Sequence, residues 1–84
     1  MSFKIEWNPK AYKDFLKLPK AFQIRVVKKL DFVKENPFRY LEHYEAKKLY
    51  KLRVGDYRAL IDLDLKEKIL LIQVFDHRKR IYKY

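Results

Sequence analysis

The 84-residue chain has no cysteine, which excludes disulfides, thiolate metal sites and a cysteine nucleophile together and fits a reducing compartment. It has one glycine, Gly55, so no glycine-rich loop is available to cradle a phosphate. No uncharged run approaches the roughly 18 residues of a membrane-spanning helix, and Met1–Glu6 lacks the apolar core of a signal peptide. The expectation is therefore one soluble domain, residues 1–84, in the cytoplasm and without membrane contact. A chain this short buries only about 60–65% of the surface its unfolded form exposes, so a large cleft between domains is excluded. Present in abundance are hydrophobic residues (49%, with 17% aromatic) and positive charge, 21 Lys and Arg against 11 Asp and Glu. The aromatic content argues against disorder.

The formal net charge of +10 is local rather than spread. Residues 47–60 carry five bases and one acid, and residues 77–84 carry four bases and no acid. The remainder is close to balanced, with 12 bases and 10 acids. Such clusters point to a polyanionic partner, or to a solvated basic face with no specific ligand.

The N-terminal stretch alternates Phe3, Ile5 and Trp7 with Lys4 and Glu6, the period of a strand with one buried face. Asn8-Pro9 then reads as an N-cap followed by proline at the first helical position. That short helix offers Tyr12, Phe15 and Leu16 on one side, and Leu18-Pro19 breaks it. A second helix over Lys20–Glu35 aligns Phe22, Val26, Leu30 and Val33, a stripe widened by Ile24 and Val27. Asn36-Pro37 ends it, because the residue before proline is pushed out of the α region. Tyr12, Phe15, Phe22 and Phe32 are expected in the core, and Lys10, Lys13, Lys17, Lys28 and Lys29 on solvated helix faces or against RNA.

No period is sustained from Phe38 to Ala46, which reads as a loop. Leu49–Val54 and Tyr57–Leu63 flank Gly55-Asp56, and glycine as the first of two loop residues suits a type II′ hairpin. Lys66-Glu67-Lys68 makes a second turn. Ile69–Phe75 is nearly all apolar and reads as a central strand covered on both faces. The fold class is α+β: an N-terminal strand and helical hairpin packed on one face of a small, mainly antiparallel sheet.

A Gly55-Asp56 turn fixes the pairing. Val54/Tyr57, Leu52/Ala59 and Tyr50/Ile61 share one face, while Arg53/Arg58, Lys51/Leu60 and Leu49/Asp62 share the other. Every member of the first set can enter a core, and a slip of one residue would mix the two sets. Arg53 and Arg58 thus face each other, although opposed like charges are destabilising. Either the side chains splay into water and lean on Asp56 or Asp62, or the pair awaits an anion whose geometry matches the guanidinium fork.

Tyr50-Lys51-Leu52-Arg53-Val54-Gly55-Asp56-Tyr57-Arg58, with the closing Val74-Phe75-Asp76-His77-Arg78-Lys79-Arg80-Ile81-Tyr82, resembles the RelE/ParE toxin superfamily, most of all RelE-type messenger RNA interferases. The resemblance spans essentially the whole chain. It implies a RelE-like fold, cleavage of mRNA in the ribosomal A site, and a RelB-type antitoxin as partner; ParE-type relatives act instead on DNA gyrase. Carried over by position, the catalytic residues are Lys51, Arg58, Arg78 and Tyr82, and Arg53 matches a basic position beside them; Lys48, Arg53, His77, Lys79 and Arg80 are expected to bind RNA. Leu49 departs from the pattern, since bacterial RelE toxins carry a second lysine there.

RNA cleavage by its own 2′-hydroxyl needs proton removal, stabilisation of a pentavalent phosphorane and a proton for the 5′-oxygen. Only two histidines, His43 and His77, are present, which argues against a histidine pair. No metal site, cofactor motif, nucleophile elbow or carboxylate cluster appears. Arginine, lysine and tyrosine remain. Arg58 would stabilise the transferring phosphate and Arg78 the phosphate or leaving oxygen; Lys51 is the candidate base. Tyr82 would orient the 2′-hydroxyl, stack on a base, or simply pack at the sheet edge. Such poor proton-transfer groups imply slow cleavage unless the ribosome orients the substrate.

Overall fold

The computed structural model describes residues 2–44 and 48–81. The chain runs β1 (Lys4–Trp7), α1 (Pro9–Leu16), α2 (Lys20–Glu35), α3 (Pro37–Tyr40), β2 (Glu42–Tyr44), β3 (Leu49–Val54), β4 (Tyr57–Asp64) and β5 (Ile69–His77). The local signals set the first boundaries. Asn8 Oδ1 accepts a hydrogen bond from the Lys10 amide at 3.0 Å with Pro9 beginning α1, and Asn36 leaves helical geometry where α2 stops. Asp64 Oδ1 accepts from the amides of Lys66 (3.1 Å) and Glu67 (2.9 Å), closing the turn into β5, as Asx side chains commonly do.

The sheet order is β1-β5-β4-β3-β2, with β1 parallel to β5 and the other pairs antiparallel. The β3–β4 register matches the sequence expectation pair for pair from Tyr50↔Ile61 to Val54↔Tyr57. One face of the sheet packs against α1 and α2. Ala11 and Phe15, then Val26, Leu30 and Val33, meet Leu52, Val54, Ala59, Ile61, Leu70, Ile72 and Phe75 in one core.

Several expectations are corrected. The Phe38–Ala46 loop contains α3 and β2 as far as Tyr44; Glu45 and Ala46 lie outside the described residues. A four-residue helix and a three-residue strand are too short to show a period. β4, not β5, is the central strand, and β5 is buried on alternate residues rather than on both faces. Its apolar run arises from a bulge: pairing steps from Leu60↔Val74 to Ile61↔Ile72, leaving Gln73 without an opposite number. The extra residue switches the alternation, so Ile72 and Phe75 both reach the core. The stripe on α2 is narrower than expected, because Ile24 and Val27 are about half exposed. With Tyr12 and Leu16 they wall an apolar groove of about 430 Å³ on the outside of the hairpin. Phe32 is 63% exposed and outside the core. Among the described residues, no helix is long and apolar enough to cross a membrane.

Candidate functional site

Three segments meet where β3 turns into β4. Gly55 has φ +58° while Asp56 stays on the ordinary side, the pattern of a type II′ turn. The turn sets Arg53 directly opposite Arg58. The two arginines have different surroundings. Arg58 is only 9% exposed, and its Nη1 donates to the carbonyls of Gly55 (2.7 Å) and Tyr57 (2.9 Å). Charge-assisted bonds to carbonyl dipoles are what allow a guanidinium to be buried. Arg53 is exposed. Neither Asp56 nor Asp62 serves as its ion-pair partner among the described residues.

The second face of the sheet is not the open groove that its charges imply. Leu60, which alternates with Arg58 along β4, is fully buried, as is Ile81, and neither belongs to the helix-side core.

The segment after β5 supplies the third cation. The Arg78 amide donates to the Asp56 carbonyl at 2.8 Å, and Arg78 Nε lies 3.9 Å from Asp56 Oδ1. Arg78 is thereby drawn to the hairpin turn while its side chain stays 55% exposed. Lys51 lies two residues before Arg53 on the same face of β3, with Nζ 4.0 Å from the Glu42 carboxylate across the β2–β3 ladder. Lys51, Arg53 and Arg58 thus share one face of the β3–β4 ladder, and Arg78 is tied to the turn that joins the two strands.

The remaining candidates are dispersed. Lys48 is exposed at the entry to β3, and Lys79 is exposed in the turn after β5. His77 pairs with Tyr57, its ring 5.6 Å from the phenol; Tyr57 packs on Phe22 of α2, so His77 shares the helix side. Arg80 reaches back to Asp76, Nε to Oδ1 3.0 Å, beside Lys10 and Asp14 of α1 and its C-cap Lys17 in a cavity of about 360 Å³. Tyr82 lies outside the described residues. No set of three or more His, Asp or Glu placed to hold a metal occurs among the described residues.

Asp76 was missed by sequence reasoning: it stands opposite Arg58 on β5. Pairing carried unbulged from Asp64↔Ile69 would have put Phe75 there. That mismatch of a cation with a core aromatic was the available signal.

A family model for the ParE toxin of the type II toxin–antitoxin system matches residues 5–82. The chain belongs to this toxin family. The resemblance to the RelE/ParE superfamily is therefore borne out, and the solved structures agree on the fold. One is the archaeal RelE–RelB complex from Pyrococcus horikoshii, at 24% identity and TM-score 0.78 over 95% of this chain and 99% of that chain. Another is the RelBE2 toxin–antitoxin complex from Mycobacterium tuberculosis, at 25% identity and TM-score 0.81 over 93% and 100%. A third is the intact RelBE complex from E. coli, at 20% identity and TM-score 0.72 over 90% and 96%. No curated protein matches the toxin by sequence.

Proposed function

We propose that this toxin is a ribosome-dependent endoribonuclease of the RelE kind, cutting mRNA in the A site, with Lys51, Arg58, Arg78 and Tyr82 as its catalytic residues. The observation that carries the reading is that Lys51, Arg53 and Arg58 share one face of the β3–β4 ladder, with the segment that bears Arg78 bonded to the turn between the two strands. In the proposed reaction the 2′-hydroxyl attacks the adjacent phosphorus as its proton passes to Lys51 in its neutral amine form, which becomes the ammonium. The 5′-oxygen departs with a proton supplied by solvent or the ribosome, leaving a 2′,3′-cyclic phosphate and a 5′-hydroxyl. Arg58, held by the turn carbonyls through one nitrogen, and Arg78 take up the charge that develops on the phosphorane oxygens. No cofactor or metal enters this scheme. The scarcity of proton-transfer groups leaves positioning to the ribosome.

A RelB-type antitoxin is the proposed partner, as in the complexes from P. horikoshii and E. coli; acidic residues laid on this face would silence it. The cytoplasm is the proposed location.

The family model favours a second reading, ParE-like inhibition of DNA gyrase without RNA cleavage. Toeprinting of translating ribosomes with the purified toxin separates the two. Codon-dependent breaks in the message are expected. Intact message together with trapped gyrase–DNA complexes would replace the first reading with the second.

A further inference from the structure

β2 pairs only with Leu49–Lys51, so β3 runs past it, and α2 lies beside its free edge. On α2, Arg25, Lys28, Lys29 and Phe32 fall at i, i+3, i+4 and i+7, one stripe of the helix. That stripe, Arg53 and Gly55 line a cleft of about 320 Å³. A second cleft of about 220 Å³ continues from it, sharing Lys29 and Arg53 and extending to Tyr40 and Lys51.

Charge and shape in the first cleft point one way. Its four cations carry no ion pair among the described residues, and no carboxylate lines it. Two of the four are held over aromatic rings instead: Arg25 lies 5.5 Å from the Phe22 ring centre and Lys29 5.0 Å from that of Tyr40. Phe32, which also lines the cleft, is 63% exposed. Fixed cations beside an unpacked aromatic are what single-stranded nucleic acid uses, phosphates on the former and a base on the latter. A protein partner would favour the apolar groove between α1 and α2, where Tyr12, Leu16, Ile24 and Val27 are exposed.

We propose that the α2–β3 cleft, formed by Arg25, Lys28, Lys29, Arg53 and Phe32, is a binding track for single-stranded RNA that extends the Arg53/Arg58 face around the edge of the sheet. The inference rests on the reading of this toxin as a protein that grips RNA, not on its cutting it. Arg53 is the joint, opposite Arg58 across the ladder and lining both clefts.

The test uses the full chain and a 2′-O-methyl oligouridine of about a dozen nucleotides, which cannot be cleaved, with affinity followed by fluorescence anisotropy from low to high salt. Binding is thereby separated from cleavage, so a toxin inactive on ribosomes would leave this result standing. Lys28→Gln/Lys29→Gln should flatten the slope of log affinity against log salt by about 1.4, at about 0.7 per lost phosphate contact on a single strand. Phe32→Ala should weaken binding by about fivefold or more with its salt slope unchanged, the mark of a lost stack. Both changes are on the surface and should leave the melting temperature in place; Lys4→Gln on β1 is the control of equal charge change per residue. An equal loss per charge in Lys4→Gln would mean bulk electrostatics alone and would overturn the proposal. So would unchanged oligouridine binding in the double variant together with lost binding of polyglutamate, which would make the cleft a docking site for an acidic protein.

Discussion

Replacing Arg58 with methionine keeps the apolar stem and removes the guanidinium. Two bonds from Nη1 to turn carbonyls are lost, each contributing about 0.5–1.5 kcal/mol net and more for a charged donor. At 9% exposure the site offers water little room to replace them. Against this loss stands the relief of the opposed Arg53, about 0.2–1 kcal/mol. The balance is a destabilisation of about 1–3 kcal/mol. For a chain of this size that corresponds to a fall in Tm of roughly 5–20 °C. Urea unfolding followed by circular dichroism, at fixed ionic strength so that screening does not confuse the comparison, reads it directly. Arg58→Lys should recover only part of the loss, since an ammonium cannot reproduce the fork. A methionine variant within about 0.5 kcal/mol of the parent would refute the reasoning. Arg58 would then be a cation free to swing toward RNA, and its burial in the free toxin would have no energetic meaning.

Leu60→Ala should cost about 2–4 kcal/mol if the second face of the sheet is closed around it, whereas Ile24→Ala on the exposed side of α2 should stay within about 0.5 kcal/mol; paired denaturation curves decide. Gly55→Ala places a residue at φ +58° with its Cβ 3.2 Å from Phe22 Cζ, and should cost about 1–3 kcal/mol in the same assay. Arg78→Gln removes an ion pair with both side chains more than half exposed, so its stability should change by less than about 1 kcal/mol. Its ribosome-dependent cleavage should nonetheless fall by about a hundredfold or more; retained cleavage would remove Arg78 from the chemistry.

The register of β3 on β4 was legible because a single glycine fixed the turn and only one pairing sorted apolar from charged residues. Asn8-Pro9 and Asn36-Pro37 were equally plain, since caps and proline act through their immediate neighbours. What failed had longer-range causes. Phe32 reads as core because it sits on a helical stripe, yet it is 63% exposed. The bulge at Gln73 hides in an apolar run, because alternation broken once looks like no alternation. Arg58 was legible as a position but not as a buried one; its carbonyl partners lie in the turn, and charge patterning takes no account of where a side chain can fold back. The tie of Arg78 to the hairpin turn depends on the Asp56 contact, which no spacing along the chain reports.

The parallel pairing of β1 with β5 has a kinetic consequence. Lys4 meets Ile69 and Trp7 meets Ile72, so the first strand waits for partners 65 positions away. Closing so long a loop costs about 4 kcal/mol of chain entropy before a single ladder bond compensates. α1 is in the same position, since the strand it packs on is β5: Phe15 sits against Phe75 and Trp7. The β3–β4 hairpin, by contrast, is local and can form early. Its arginines can therefore be laid out before the helices have a sheet to rest on, but the segment that carries Arg78 arrives only with β5. A chain interrupted before that strand would hold the basic hairpin without Arg78 and without a core to steady it. Toxicity should thus appear all at once, when β5 docks, and not grow by degrees as the chain lengthens.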